Sequence, residues 1–182
     1  MRGVALTATM YSLAVELSDV DRSVYETFDL RLARQPSETG EYMLMRLLAY
    51  CLEYTEGIEL TEGVAAGDQP AVLVRDRTGQ VTAWIEVGMP DASRLHRGSK
   101  LAGRAALYTH RDLRQVMAQF SGQKIHNADA IPIYTFDSQF VKGVNDAIER
   151  RTDLSVSVTE RELYLGVNGT MFTTTIAEHR IG

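Results

Sequence analysis

Polar and apolar residues alternate almost without interruption over 3–17 (GVALTATMYSLAVEL) and again over 23–34 (SVYETFDLRLAR). A period of two with this β-branched content predicts two long strands, and the polar link Ser18-Asp19-Val20-Asp21-Arg22 predicts that they form an antiparallel hairpin. The period changes after Pro36. Leu44, Leu47, Leu48, Cys51 and Leu52 recur at helical spacing, predicting a helix from Ser37 to about Tyr54 with Ser37 as N-cap and Glu38 and Glu41 in its first turns. Helical phasing aligns Glu41 with Met45, Leu48 and Leu52, on the border of the apolar stripe.

A meander of three strands is predicted next, over 57–64, 71–76 and 81–87, with Arg77-Thr78-Gly79-Gln80 as the second turn. A helix over 92–107 follows, in which Leu95, Gly98, Ala102 and Ala105 make a small-residue packing face and Arg97, Lys100 and Arg104 make a basic stripe beside it. The remainder reads as a strand over 106–109, a helix over 111–120, a strand over 131–136, a helix over 138–150, a hairpin of 154–159 with 163–167, and a last strand over 172–176. Neither a repeat nor a linker divides the chain, so a single domain spanning 1–182 is expected. Its class is α/β, or α+β, with one mixed sheet flanked by helices and parallel crossovers over 81–109 and 106–136.

Composition narrows the functional classes. No apolar run reaches membrane-spanning length and the opening residues lead straight into an alternating strand, which points to a cytoplasmic protein that does not enter membranes. Cys51 is the only cysteine, so internal disulfides and multi-cysteine zinc sites are excluded, a disulfide-linked partner is not expected, and the residue reads as a small core side chain. The four histidines lack ligand spacing. A net charge of −5 argues against a sequence-independent nucleic-acid coat protein. Between Arg94 and Arg114, however, six basic side chains face one acid, a concentration able to attract a phosphate backbone.

The chemistry centres on Glu86, at the end of the apolar strand 81–87 and just ahead of Gly88-Met89-Pro90-Asp91 and the basic helix. A carboxylate among apolar neighbours requires a cation, a metal or a hydrogen-bond donor. Asp68, at the entrance to the second meander strand, and Glu41 complete a set of three acids that the sheet would carry to one edge. Asp68 and Glu86 suit a hard divalent ion such as Mg²⁺ or Mn²⁺, with a nearby lysine stabilising charge in phosphodiester hydrolysis. The plainer readings are an ion pair of Glu86 with Arg97 or Lys100, a turn role for Asp68, and a solvated face for Arg97, Lys100 and Arg104. Trp84 shares the Glu86 face and is read as core, and Arg46 as a surface or inter-element ion pair.

The order helix, three antiparallel strands, helix, strand resembles the αβββαβ core of the PD-(D/E)XK nucleases, the restriction-endonuclease-like fold, here with an added N-terminal and C-terminal β-hairpin. That resemblance implies a metal held by Asp68 and Glu86 and a lysine two residues beyond the second acid, where this chain has Gly88; in some members of the superfamily the lysine lies on the next helix, which implies Lys100 or Arg97 in its catalytic role here. More narrowly, Ala5-Leu6-Thr7-Ala8-Thr9-Met10-Tyr11, Pro36-Ser37-Glu38-Thr39, Arg46-Leu47-Leu48-Ala49-Tyr50, Asp68-Gln69-Pro70 and Trp84-Ile85-Glu86-Val87-Gly88-Met89-Pro90-Asp91 are, together and in order, similar to the YaeQ family. Departures are Gln35 where that family typically has His and Gln69 where it commonly has Glu. The resemblance implies a nuclease-like protein with a divalent-metal site, Glu41 orienting water or a second cation, and a tentative nucleic-acid surface at Arg97, Lys100 and Arg104. The alternative is a catalytically inactive nuclease-fold protein acting as a nucleic-acid or protein interaction module.

Overall fold

The computed structural model describes residues 7–62 and 67–182; residues 3–6 of the first predicted strand and 63–64 of the third lie outside that range. The opening hairpin forms as the alternation predicts. β1 (Thr9–Asp19) and β2 (Val24–Arg34) pair antiparallel from Thr9 opposite Arg34 to Asp19 opposite Val24. Leu13, Val15, Leu17, Leu30 and Leu32 are buried on one face. β8 (Arg151–Thr159), β9 (Glu162–Val167) and β10 (Thr170–Thr175) extend this sheet in the order β10-β9-β8-β1-β2, with β8 parallel to β1.

A second sheet holds β3 (Ile58–Leu60), β4 (Val72–Arg75), β5 (Val81–Val87), β6 (Arg104–Thr109), β7 (Pro132–Thr135) and β11 (Ala177–Arg180), in the order β11-β7-β6-β5-β4-β3. β3, β4 and β5 run antiparallel, and β5, β6 and β7 are parallel, as the two crossovers require. The expected single mixed sheet is therefore two mixed sheets. The reason lies in burial: β1, β2 and β8 bury alternate residues only, whereas β5 and β6 are buried on both faces along most of their length.

Between the sheets lie α1 (Gly40–Leu52) and α4 (Ser138–Ala147), sharing one apolar core with both. This position buries α1 nearly all round, including Met43, Met45, Arg46 and Ala49, well beyond its leucine stripe. α2 (Ala92–Leu101) and α3 (Leu113–Phe120) cover the other face of the second sheet around Leu95, Leu107, Val116 and Ile133. The molecule is thus layered sheet, helices, sheet, helices. None of its helices is long and apolar enough to cross a membrane, among the described residues.

Of the boundaries that differ from the sequence pattern, three bear on the architecture. The N-cap of α1 is Thr39, whose Oγ1 accepts from the Tyr42 N–H at 3.1 Å, and Ser37 lies in the preceding turn. α2 ends at Leu101, because the backbone turns extended at Ala102 and Arg104 already opens β6. The last predicted strand forms as β10 in the first sheet, and after the buried Ile176 a further strand that the pattern does not predict, β11, crosses to pair antiparallel with β7.

Candidate functional site

Alternation along β5 decides which way its chemistry points. Ala83, Ile85 and Val87 enter the core between the sheets, which leaves Trp84 and Glu86 facing α2. Glu86 is 4% exposed. Its Oε1 accepts from Trp84 Nε1 at 3.0 Å, and Arg94, in the first turn of α2, brings Nε within 3.3 Å of both oxygens and Nη2 within 3.2 Å of Oε1. Burial holds the Glu86 carboxyl above its ordinary value, with Arg94 acting in the opposite sense. The same guanidinium donates from Nη1 to Gly67 O at 2.9 Å and from Nη2 to Gln69 O at 2.6 Å, tying the 67–69 segment to the buried acid.

Glu86, Arg94, Tyr42, Met89 and Pro90 line a pocket of about 230 Å³. Burial, then Glu86, raises the Tyr42 hydroxyl above its ordinary pKa. Gly88 explains the missing lysine. It sits at φ +78°, and a Cβ there would lie 3.2 Å from the Tyr42 ring, so neither backbone nor neighbour suits a long side chain.

The other nominated residues diverge. Asp68 is turned to solvent, its side chain 98% exposed. Arg97 lies 3.7 Å from Asp68 Oδ1 through Nη1, donates to the Asp68 carbonyl at 3.1 Å, and covers the Trp84 ring at 5.6 Å. Glu41 faces α4, with Oε1 3.5 Å from Asn145 Nδ2. Lys100 is exposed on the outer side of α2. Arg104 leaves the basic stripe: β6 points it into the space between the sheets, where Glu53 binds it at 2.6 and 3.0 Å. Trp84 is core, at 4% exposure, and Cys51 is buried, its thiol pushed up to about 12.

The sheet therefore joins Glu86 to Arg94 and Arg97 to the Asp68 backbone, but does not aim Asp68, Glu41 or Lys100 at Glu86. No group of three or more His, Cys, Asp or Glu is arranged to hold a metal among the described residues. As arranged, with Asp68 in solvent and both Glu86 oxygens engaged, the acids do not fit a hard divalent cation that needs free oxygen ligands.

Two partners, Arg94 for Glu86 and Glu38 for Arg46, are not assigned by the sequence pattern. Arg94 belongs to the basic cluster, and its place in the first turn after the short 88–91 connection puts it nearest the strand end. Glu38 and Arg46 form a buried ion pair at 2.7 Å, the side chains 0% and 1% exposed. Arg46 also donates to Ala33 O at 2.9 Å and Thr61 O at 2.8 Å, while Glu38 accepts from the Gln35 N–H at 2.9 Å. The inter-element ion pair expected of Arg46 is thus present, buried rather than at the surface, with a partner that the sequence does not single out.

The family model described as YaeQ protein matches residues 4–176. The chain belongs to the YaeQ family. It is 30% identical over 163 residues to YaeQ of Escherichia coli strain K12, covering 89% of this chain and 90% of that protein, and 29% identical over the same length to YaeQ of Salmonella typhi. The crystal structure of YaeQ from Xanthomonas axonopodis pv. citri superposes with a TM-score of 0.84 at 27% identity, covering 95% of this chain and 98% of that one. That of YaeQ from Pseudomonas syringae gives 0.84 at 28% identity, covering 96% and 98%. The two-sheet, four-helix architecture is thus similar to solved YaeQ structures.

Proposed function

We propose that this YaeQ-family protein is a nuclease-fold protein without phosphodiesterase activity, acting as a nucleic-acid-binding module. The order α1-β3-β4-β5-α2-β6 supports the PD-(D/E)XK reading, and so do acids at the two positions that resemblance marks, Asp68 and Glu86. The observation that carries the loss of hydrolysis is the closure of Glu86. Arg94 and Trp84 take up its oxygens, and the position of the expected lysine is a left-handed glycine against Tyr42.

Binding is assigned to the outer helical layer. Lys100 and Lys124 are exposed and make no ion pair among the described residues. They border His96, whose Nδ1 accepts from the His126 N–H at 3.0 Å and whose pKa is lowered by burial and then by Lys100, Lys124 and His126. A phosphate backbone supplies the charge this patch lacks.

The test is fluorescence anisotropy on labelled single- and double-stranded oligonucleotides across a salt series. Binding is expected to weaken with salt, and Lys100→Ala and Lys124→Ala are each expected to reduce the log–log slope by roughly 0.7–0.9. Manganese calorimetry is expected to show no site that depends on Glu86 and Asp68. Metal-dependent cleavage that Glu86→Ala abolishes would instead establish the hydrolase reading, with Mg²⁺ or Mn²⁺ as its ion.

A further inference from the structure

On the α1 side of the second sheet, which separates it from Glu86, a cavity of about 460 Å³ opens where the β1–β2 turn, the end of α1 and the β8–β9 turn meet. Three guanidinium groups and one carboxylate line it: Arg22, Arg104, Arg161 and Glu53. Two of the arginines are already neutralised. Arg104 holds Glu53 at 2.6 and 3.0 Å and donates to the Tyr134 hydroxyl at 3.2 Å, while Tyr108 donates to Glu53 Oε1 at 2.8 Å. Arg22 pairs with the buried Asp19 at 2.8 Å and donates to Tyr54 O at 3.0 Å, satisfying a carbonyl just past the end of α1.

Arg161 is different. It makes no ion pair among the described residues, and its guanidinium lies 5.5 Å over the Tyr134 ring. The turn that presents it is strained: Glu160 and Arg161 occupy φ +51° and +61°, where a two-residue hairpin turn ordinarily uses Asn-Gly. The Asp21 carboxylate holds that conformation by accepting from both N–H groups, at 2.7 and 2.9 Å. A carboxylate from another turn and two unfavourable backbone conformations thus serve to direct one arginine, without an acid of its own, into a cavity already lined by two tyrosines and two further arginines.

We propose that this cavity binds a small phosphomonoester of mononucleotide size, with its phosphate on Arg161 and the Tyr134 hydroxyl beside Arg104 and its remainder against Leu52, Val74 and Ala83. The volume is within the range of small-ligand sites, and the planar fork of arginine matches phosphate oxygens in pairs. The site lies on the opposite side of the sheet from the basic outer layer, so it stands or falls separately from nucleic-acid binding there.

Calorimetry on the full chain at low salt, with AMP, inorganic phosphate and adenosine, tests this. AMP is expected to bind saturably, phosphate to compete with it, and adenosine to bind at least tenfold more weakly. Arg161→Ala is expected to weaken AMP binding at least tenfold at unchanged melting temperature, and Arg77→Ala, a charge control on the β4–β5 turn, to leave it unaltered. No saturable AMP binding, equal binding of adenosine, or an equal effect of Arg77→Ala and Arg161→Ala would overturn the proposal.

Discussion

Burying an ionisable side chain has a cost that only a specific partner offsets, and three acids of this chain meet that demand differently. Glu38 meets it with Arg46 in a pair that is closed to water, so removing one member leaves the other charged and unsolvated. Glu38→Ala is expected to cost about 3–5 kcal/mol, read as a lowered urea midpoint at unchanged m-value. Glu86 meets it with Arg94 and Trp84, yet burial still raises its carboxyl above the ordinary 4.5. A raised folded pKa means that the native state binds more protons than the unfolded one between 4.5 and the folded value, so stability falls as pH rises through that window and is level above it. Denaturation of wild type and Glu86→Gln in parallel from pH 4 to 7 is expected to show wild type losing stability relative to the variant as pH rises; a flat difference would contradict it. Asp68 avoids the cost by remaining in solvent. The sequence made Glu86 conspicuous, because a carboxylate on an apolar strand is legible. It could not assign the partner, since Arg94, Arg97 and Lys100 all lie on the next helix and only the docking angle selects Arg94.

That docking angle is a property of elements. α2 approaches β5 closely because Gly98 faces the Trp84 indole, and a Cβ built on Gly98 would penetrate the ring. Gly98→Ala therefore sets two effects against each other. Helix propensity favours alanine by about 1 kcal/mol, whereas overpacking at a filled contact costs about 1–3 kcal/mol and moves Arg94 away from Glu86. The variant is expected to be less stable than wild type by thermal unfolding; a rise in melting temperature would mean that the contact yields easily. The strands β1, β2, β5, β8 and β9 and the heart of every helix were readable from period and turn chemistry. The end of α2 was not. Ala102 and Ala105 continue a helical packing pattern, but Ala105 is equally well buried as the second residue of β6, so the pattern is the same for both conformations. Because the helix ends before it, Arg104 lies on the inner face with Tyr108 and Glu53 rather than on an outer basic stripe.

At the scale of the whole molecule, two sheets share one core, a fact that local periodicity does not encode. Strand lengths and burial patterns hinted at it: 11-residue alternating strands cannot continue a sheet whose strands are buried on both faces. What links the sheets at the end of the chain is the step from β10 through the buried Ile176 to β11, which covers β7 with an antiparallel ladder from Ala177 opposite Thr135 to Arg180 opposite Pro132. β11 contributes little apolar burial, since none of its four residues is buried. Its effect is on the edge: without it, the backbone groups of β7 stand unpaired beside the buried, apolar Ile133 and Tyr134. A chain ending at Ile176 is therefore expected to keep the far-UV circular dichroism of the folded protein while associating with itself as concentration rises. Sedimentation velocity at several concentrations reads this directly. A truncated chain that stays monomeric wherever the full chain does would show that β7 needs no cover, and that the crossing strand matters for the core rather than for the edge.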